Sequence, residues 1–247
     1  MGKINILSTS GEPFIDRAEA GRMLGHVLKK YKFSKDTVVL GIPRGGIIVA
    51  REIAGIINSR LDVVLTHKIG SPYNPEFAIG AVSENGRITF GNRVFTLDEI
   101  EDAAIKKEAE KQLLNLKRKA SYYREILPKR ELKNKTVIIT DDGIATGATM
   151  KAALILARNE SPEQLISALP VSPRDSVEET ALLCDEVICL RVPLFFGAVG
   201  AFYIDFEQTS DETILEILRE EQGRFNHGKT SGPDSKREHQ NQWRPDH

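Results

Sequence analysis

Short apolar runs alternate with amphipathic stretches along most of the chain. Five of these runs are short and rich in Val, Ile and Leu, as buried strands are. They are Thr37–Ile42, Leu61–Thr66, Val137–Thr140, Leu165–Val171 and Glu186–Val192. Apolar residues recur at helical spacing in Phe14–Lys30 (with Asp16 as the expected cap), Ile47–Ile57 and Met150–Arg158. Strands that alternate with helices predict an α/β protein with a mostly parallel sheet, in which ligands bind beyond the carboxyl ends of the strands.

The segment between the second and third strands follows a different pattern. Ala78–Phe90 contains two short β-like runs around Asn85-Gly86, which is a strong hairpin signal. A long charged helix is predicted over Leu97–Tyr123, opened by Thr96 with Glu99 three residues later, as in a capping box. We expect one domain over residues 1–222, in which 70–96 form a flexible hairpin loop and 97–123 the long helix. The polar residues 223–247 are expected to be a disordered tail.

Composition narrows the functional classes. The 247 residues carry a formal net charge of −1, which gives no reason to expect a broad nucleic-acid or membrane footprint. The chain does not open with a basic region and an apolar stretch, and it has no long uninterrupted apolar window, so a cytoplasmic protein is expected. Cys184 and Cys189, placed on one strand, are expected on its opposite faces as small core residues.

Residues 137–150, VIITDDGIATGATM, combine a buried strand with the donors of an anion site. Backbone N–H groups at a helix N-terminus have no partner within the helix, so they can hold an anion. Small residues permit close approach, and Thr146 and Thr149 add hydroxyl donors. Asp141 and Asp142 would repel phosphate, so they suit hydroxyl groups or a metal-bound ligand beside it. The alternative is an ordinary strand–turn–helix corner.

The stretch DDGIATGAT resembles the phosphoribosyl-diphosphate (PRPP) motif of type I phosphoribosyltransferases. The resemblance implies the fold of that family, a central mostly parallel sheet flanked by helices, with a small hood and a flexible hairpin loop. It implies that Asp141 and Asp142 bind the ribose hydroxyls and that the small-residue turn cradles the ribose phosphate. The turn consists of Gly143, Ala145, Thr146, Gly147, Ala148 and Thr149 with Ile144 between them. The P-loop pattern G-x-x-x-x-G-K-[ST] is absent.

The stretch GIPRGG at Gly41–Gly46 directly follows the first core strand. Arg44 offers a fork of donors for a diphosphate, and Gly45 and Gly46 permit unusual dihedral angles. The stretch resembles the pyrophosphate-binding loop that the family has at this point; a tight turn with a solvated arginine is the alternative. Lys68 ends the second strand and is expected on the same rim near the pyrophosphate, as a basic residue often is in this family. The alternative is an ordinary surface lysine.

The family also carries a loop that closes over PRPP, and SPYNPEFAIGAV from Ser71 lies at that position. Glu76, Glu84 and Arg87 are unranked candidates there, and closure would exclude water from the reacting centre.

Residues 195–206, FFGAVGAFYIDF, are similar to the base-recognition segment of hypoxanthine–guanine phosphoribosyltransferases. On that analogy Phe195 or Phe196 stacks on a base and Asp205 lies near the metal-bound pyrophosphate. The spacing between Gly200 and Asp205 differs by one residue from that segment. Aromatic residues beside glycines are also common in cores.

The position of Ala145 bears on the acceptor. Hypoxanthine-type enzymes have an acidic residue there, whereas a methyl group accepts no proton, so a hypoxanthine or guanine acceptor is disfavoured. The wider pattern includes F-x-D-R-x-x-A-G at Phe14–Gly21 and HKIG-x-P-x-NPE at His67–Glu76. It is similar to a bacterial and archaeal group of phosphoribosyltransferases with no defined acceptor.

The leading hypothesis is transfer of ribose 5-phosphate from PRPP to a nitrogenous acceptor, a nucleobase, with release of pyrophosphate. Asp141, Asp142, Arg44 and Lys68 would be the catalytic residues. Mg²⁺ would bind mainly PRPP and water, with Asp141, Asp142 and Asp205 nearby. The alternative is a non-catalytic sensor of PRPP or nucleotides, because one fold serves both uses.

Other partners follow from charge. The basic stretch Lys117–Arg130 could contact RNA, but it is interpreted as the solvated face of a helix. Neither a nucleic acid nor a membrane is an expected partner, and a homodimer is one option for the oligomeric state.

Overall fold

The computed structural model describes residues 1–31, 36–71, 74–90 and 93–230. The strands are β1 (Lys3–Ser8), β2 (Thr37–Gly41), β3 (Arg60–Val63), β4 (Thr66–Ser71), β5 (Asn74–Ser83), β6 (Ile88–Phe90), β7 (Arg93–Phe95), β8 (Thr136–Thr140), β9 (Gln164–Val171) and β10 (Glu186–Arg191). The helices are α1 (Arg17–Val27), α2 (Gly46–Ile57), α3 (Ala103–Ile126), α4 (Ala148–Arg158), α5 (Arg174–Ala181) and α6 (Asp211–Thr230).

The central sheet has six parallel strands in the order β1-β10-β9-β8-β2-β3. The chain winds from β2 to β3 in one direction and from β8 through β9 to β10 in the other. The winding therefore reverses between β2 and β8, where Gly41 pairs with Thr140 at the ends of the two strands. Ligands in open α/β sheets bind beyond the strand ends at such a switch point. The loops after Gly41 and Thr140 consequently lie side by side at the expected ligand position.

Both faces of this sheet are buried, as helices on either side of a parallel sheet require. Val137 and Ile139 of β8 pack with Met150 of α4 in one apolar cluster. Ile138 points to the other face and packs in a larger cluster that includes Ile53 of α2. Each such burial contributes about 1.5–3 kcal/mol. The core therefore holds the carboxyl end of β8 and the first turns of both helices in position.

The segment predicted as a hairpin loop, residues 70–96, belongs to an antiparallel sheet in the order β4-β5-β6-β7. The hairpin at Asn85-Gly86 is confirmed: the Ser83 N–H donates to the Arg87 carbonyl at 2.9 Å. Gly86 has a φ of +80°, which glycine adopts without a side-chain clash. Flexibility of this segment stays a prediction.

Arg124 near the end of α3 joins this small sheet to the large one. Its guanidinium donates to both carboxylate oxygens of Glu84, at 2.9 and 2.7 Å, and to Asp62 at 2.5 Å. It also donates to the Val63 carbonyl at 3.1 Å. A planar, bidentate arginine pair is geometrically specific. The hairpin is thus attached to β3 through a helix that follows it in sequence.

Several boundaries differ from the sequence-based expectation. The capping box at Thr96 and Glu99 is present, but it opens only a 3-10 turn, Leu97–Glu99. The long helix begins at Ala103, because the Asp102 carboxylate accepts from two N–H groups in a second helix start. The second strand ends at Val63, so Lys68 lies within β4 and not at the end of a strand of the parallel sheet.

The prediction for the cysteines is partly wrong. Cys184 precedes β10, and both thiols lie in the same apolar cluster, not on opposite faces of one strand. Both are buried, as expected of small core residues. Burial raises the pKa of each thiol to about 12, which keeps both protonated and unreactive.

The C-terminal segment also departs from the expected boundary. The last helix was expected over Asp211–Glu221, and α6 continues to Thr230, into the polar segment. Residues 231–247, the rest of the expected tail, lie outside the described residues. Asp16 caps α1 as predicted, accepting from the Glu19 N–H. Among the helices described, none combines the length and apolar character needed to cross a membrane.

Candidate active site

The acidic pair lies at the switch point of the parallel sheet. Asp141 and Asp142 follow β8 directly, and both are half-buried. The Asp142 N–H donates to the Asp141 carboxylate at 2.9 Å. Across the switch point, the loop after β2 brings Gly45 and Gly46 against the pair. The structure therefore brings the two loops that the sequence singled out into direct contact.

The two glycines are needed for that contact. A Cβ on Gly45 would lie 1.9 Å from Oδ2 of Asp142 and 2.7 Å from Nε of Arg17. A Cβ on Gly46 would lie 2.8 Å from the Asp141 Cα. All three distances are below van der Waals contact, so a side chain on Gly45 or Gly46 would displace the acidic pair. Close backbone approach, more than unusual dihedral angles, explains the glycines: Gly45 has an ordinary φ of −65°.

Arg17, the first residue of α1, is the main partner of Asp142. Its Nε donates to Oδ2 of Asp142 at 2.7 Å, and the two side chains are only 10% and 16% exposed. Its Nη1 donates to the Glu207 carbonyl at 2.8 Å, and its Cζ lies 3.9 Å from the centre of the Phe206 ring. The Tyr203 hydroxyl donates to the Asp142 carbonyl. These contacts hold Asp142 in one orientation.

The surroundings of Asp141 and Asp142 affect their pKa values differently. Burial raises the pKa of Asp141, and the neighbouring charge of Asp142 raises it further. Burial also raises the pKa of Asp142, but the hydrogen bond and positive charge of Arg17 oppose that rise. Asp141 is therefore the member of the pair that holds a proton more readily. Burial also raises the pKa of Tyr203, so its hydroxyl stays a donor.

The turn after the acids has the features of an anion site. Gly147 adopts a left-handed φ of +67° and caps α4. In the described residues, no backbone N–H from Ala145 to Gly147 donates to a protein acceptor, and Ala148 and Thr149 open the first turn of α4. The Ala145 carbonyl is occupied, because the Ser176 hydroxyl donates to it. The turn thus presents several N–H donors at a helix N-terminus.

One residue of the predicted phosphate turn and one of the loop after β2 line a cavity of about 760 Å³. Thr149 of the turn and Pro43 of the loop both line it, and Lys68 lines it from β4. Lys68 therefore reaches the expected rim although it lies on a different element from the one predicted. Other residues of the turn, including Thr146, line a second cavity of about 650 Å³ beneath β5 and β6.

Arg44, in the loop after β2, is exposed, and it is not among the residues that line the first cavity. The Gln208 amide, oriented with its oxygen toward Arg44, accepts from the guanidinium. Burial and Asp211 raise the pKa of Tyr123 to about 12, and the positive charge of Arg44 acts against that rise. Arg44 therefore lies close to α3 and to the segment that precedes α6.

A model of the phosphoribosyl transferase domain matches residues 16–207, more than half of the chain. The chain belongs to the phosphoribosyl transferase family. Two curated Mycobacterium tuberculosis proteins (strains CDC 1551 / Oshkosh and ATCC 25618 / H37Rv), provisionally named as phosphoribosyl transferases, are each 40% identical over 205 residues. The match covers 83% of this chain and 46% of each relative, so the chain spans about half the length of these relatives.

A solved structure also resembles this member of the phosphoribosyl transferase family. The crystal structure of TT1426 from Thermus thermophilus is 41% identical, with a TM-score of 0.76. The match covers 84% of this chain and 98% of that one. The fold expected from the PRPP motif, a mostly parallel sheet flanked by helices, is confirmed.

The aromatic candidates of the phosphoribosyl transferase chain are in different surroundings. Phe196 packs against the core and stacks on Phe202, with ring centroids 5.3 Å apart. Phe195 is 91% exposed. Phe195 is therefore the more accessible of the two rings, and the base-stacking role of either stays a prediction.

Asp205 is exposed and lines a small cavity with Asp16 and Arg17. Its backbone N–H donates to the Ile15 carbonyl at 2.8 Å. Within the described ranges, no three His, Cys, Asp or Glu side chains form a group that could hold a metal ion. The protein's acids therefore do not assemble a cation cage among themselves in the part of the chain that is described.

The structure describes the side chains of two of the three loop candidates, Glu84 and Arg87. Glu84 is engaged by Arg124. Arg87 lines a small cavity next to Glu84, away from the acidic pair's loop contacts. The side chain of Glu76 lies outside the described parts of the structure. In the described structure, neither Glu84 nor Arg87 forms a hydrogen bond or ion pair with either aspartate.

Sequence reasoning missed Arg17, Tyr203 and Ser176. Arg17 was part of the F-x-D-R pattern, but nothing local in the sequence gave it a partner. Its carboxylate partner is 125 residues further along the chain. The only available signal was the presence of an arginine directly after a helix cap, which does not by itself indicate a site.

Proposed function

We propose that this chain transfers ribose 5-phosphate from PRPP to a nitrogenous acceptor and releases pyrophosphate. The carbon–oxygen bond between C1 of the ribose and the diphosphate breaks, and a carbon–nitrogen bond to the acceptor forms. The proposal places the ribose hydroxyls on Asp141 and Asp142 and the ribose phosphate on the turn 145–149. Family membership supports the reaction class, and the relatives' greater length leaves room for activities outside this chain.

One observation carries the proposal: an acidic pair and a set of unused N–H donors lie together at the switch point, in contact with a glycine-rich loop. Anion donors next to carboxylates suit a ligand with a phosphate at one end and hydroxyl groups beside it. A simple phosphate-binding corner does not require the two acids. A sugar phosphate with a free diol requires both.

The charges around the site suit cleavage at the anomeric carbon. Asp141 and Asp142 would favour positive character there as the bond to pyrophosphate lengthens. Arg44 and Lys68 would stabilise the negative charge that accumulates on the leaving pyrophosphate. To do so Arg44 would exchange its hydrogen bond with Gln208 for the diphosphate.

Magnesium fits this site as a companion of the substrate. Asp142 is already paired with Arg17, and among the described residues the acids do not gather into a protein metal site. Mg²⁺ keeps several waters and is commonly held by one or two carboxylates plus phosphates. When bound with PRPP, it would neutralise diphosphate charge, with Asp141 and Asp142 as its nearest protein carboxylates. Asp205, exposed beside Arg17, would act only through water.

The acceptor is proposed to be a nucleobase that needs no acid at position 145. Ala145 offers no proton acceptor, and its carbonyl is bound by Ser176. Phe195 would supply the stacking face. The test is to incubate the protein with PRPP, Mg²⁺ and a panel of bases, and to identify nucleotide products by mass. A mass increase of one ribose phosphate on one base is the expected result.

The control for that assay is the variant Asp141→Asn with Asp142→Asn. It should abolish PRPP-dependent release of pyrophosphate, because the diol loses its charged carboxylate acceptors and the anomeric carbon loses two nearby negative charges. Wild-type rates in the double variant would remove the assignment of these acids. PRPP binding without any product across the panel would indicate the sensor function instead.

A further inference from the structure

A polar stripe runs along one face of α3. It consists of Asn115, Arg118, Lys119 and Tyr122, which follow the spacing i, i+3, i+4, i+7 and therefore lie on one side of the helix. All four line the 760 Å³ cavity that also contains Thr149 and Pro43. Part of the basic stretch that the sequence suggested as a solvated face is exposed and also lines the cavity that contains Thr149.

The two charged residues of the stripe, Arg118 and Lys119, form no ion pair with another described residue. Within the described residues, Arg118 donates only to the neighbouring Asn115 at 3.3 Å. Arg124, further along α3, is by contrast fully engaged by Asp62 and Glu84. Two cations on the cavity-lining face of one helix, without an ion-pair partner among the described residues, are available to an external anion.

Further positive charge lies in and beside this cavity. Lys68 lines it from β4, and Arg44 lies near enough to Tyr123 to affect its pKa. In the described lining, Lys68, Arg118 and Lys119 are cations and Asp211 is the one carboxylate, so positive charge exceeds negative charge there. A cleft in which one sign of charge prevails attracts ligands of the opposite sign.

We propose that Arg118 and Lys119, held on the rigid helix α3, form an anion subsite for the diphosphate end of the activated sugar. The inference rests on the proposed function. In the proposed arrangement, the diphosphate lies between the loop after β2 and the stripe, so that cations contact it from both sides. The ribose phosphate remains on the turn 145–149, of which Ala145, Thr146 and Ala148 line the other cavity, where no residue of the stripe is found. Arg118 and Lys119 thereby select for a diphosphate over a bare sugar phosphate.

The test compares three ligands by calorimetric titration into the full chain: PRPP with Mg²⁺, inorganic pyrophosphate with Mg²⁺, and ribose 5-phosphate. The variant is Arg118→Gln with Lys119→Gln. The matched control is Lys107→Gln with Lys117→Gln, which removes the same charge from exposed positions of the same helix outside the described cavity lining. Thermal melts of both variants check that α3 remains folded.

The expected result is a loss of about tenfold or more in affinity for PRPP and pyrophosphate in the stripe variant, because two charge-assisted contacts are lost. Affinity for ribose 5-phosphate stays within about twofold, and the control variant matches the wild type. The wild type also loses PRPP affinity more steeply than the stripe variant as salt rises.

The outcomes separate the inference from the proposed function. Unchanged pyrophosphate affinity in the stripe variant overturns the inference and leaves the proposed function intact. An equal loss of affinity for all three ligands in the stripe variant has the same meaning. Wild-type binding of pyrophosphate that depends on the stripe, without any binding of PRPP, supports the subsite and overturns the proposed function. A wild type that binds none of the three overturns both.

Discussion

Replacing Arg17 by methionine tests whether the ion pair with Asp142 holds the site together. The change keeps much of the apolar stem and removes the guanidinium. Three contacts are lost together: the 2.7 Å bond to Asp142, the 2.8 Å bond to the Glu207 carbonyl and the ring contact with Phe206. The Asp142 carboxylate is left unpaired at 16% exposure.

Breaking a buried pair from one side costs about 3–5 kcal/mol. Solvent still reaches part of both side chains, so we expect the lower end, about 3 kcal/mol. For a chain of this size each kcal/mol lowers Tm by about 2–4 °C, which gives a drop of about 6–12 °C. Adding Asp142→Asn to Arg17→Met should restore part of the loss, because the uncompensated charge is then absent.

The assay is thermal unfolding of both single variants and the double variant, followed by PRPP binding. Arg22→Met is the matched control on the same helix, since Arg22 is 50% exposed and lies 3.7 Å from Glu52. A surface pair of that kind contributes at most about 1 kcal/mol. The reasoning is refuted if Arg17→Met melts within about 1 °C of the Arg22→Met control.

Three more substitutions probe the site and its supports. Asp141→Asn should raise Tm at pH 7.5 and change it little at pH 4. Because the pKa of Asp141 is raised in the folded protein, the folded protein loses stability as pH rises above the ordinary pKa of a carboxylate. The amide of asparagine does not ionise, so the variant avoids that loss. Fluorimetric melts at both pH values check this, and a lower Tm at pH 7.5 would contradict it. Gly45→Ala should weaken PRPP binding more than tenfold in a titration and cost about 1–3 kcal/mol, because its Cβ meets the acidic pair. Gly55→Ala, within the helix α2 that Gly45 precedes, has open space for the Cβ and should be tolerated. Equal binding by these two alanine variants would count against the close-approach argument. Glu84→Gln removes the charge that Arg124 binds and should speed hydrogen exchange in β5 and β6 while leaving β8 protected; unchanged exchange would mean that the pair does not attach the hairpin.

The parallel sheet could be predicted because its inner strands are continuous apolar runs, as strands covered on both faces must be. The edge strand β1, Lys3–Ser8, was missed because it is only partly buried and reads as a mixed polar segment. The eight-residue α5 was missed because it carries acidic and hydroxyl residues with few apolar positions. Both elements depend on neighbours far along the chain, which local pattern does not reveal.

The candidate site likewise contains parts that local sequence predicts and parts that depend on distant contacts. The acidic pair, the small-residue turn and the glycine loop are local sequence features, and the parallel register brings them together at the switch point. Lys68 was assigned to the correct rim from the wrong strand end, because the chain leaves the parallel sheet at Val63. Arg17 depends on a contact between α1 and the loop after β8, which the sequence pattern does not specify.

The most direct test of the central claim is calorimetric titration of PRPP with Mg²⁺ into the wild-type chain and into Asp141→Asn with Asp142→Asn. We expect saturable binding to one site per chain in the wild type and no measurable binding in the variant, because the acids hold the diol next to the phosphate turn. No heat with the wild type, or equal affinity in both proteins, would contradict the assignment of this turn and these acids to the activated sugar.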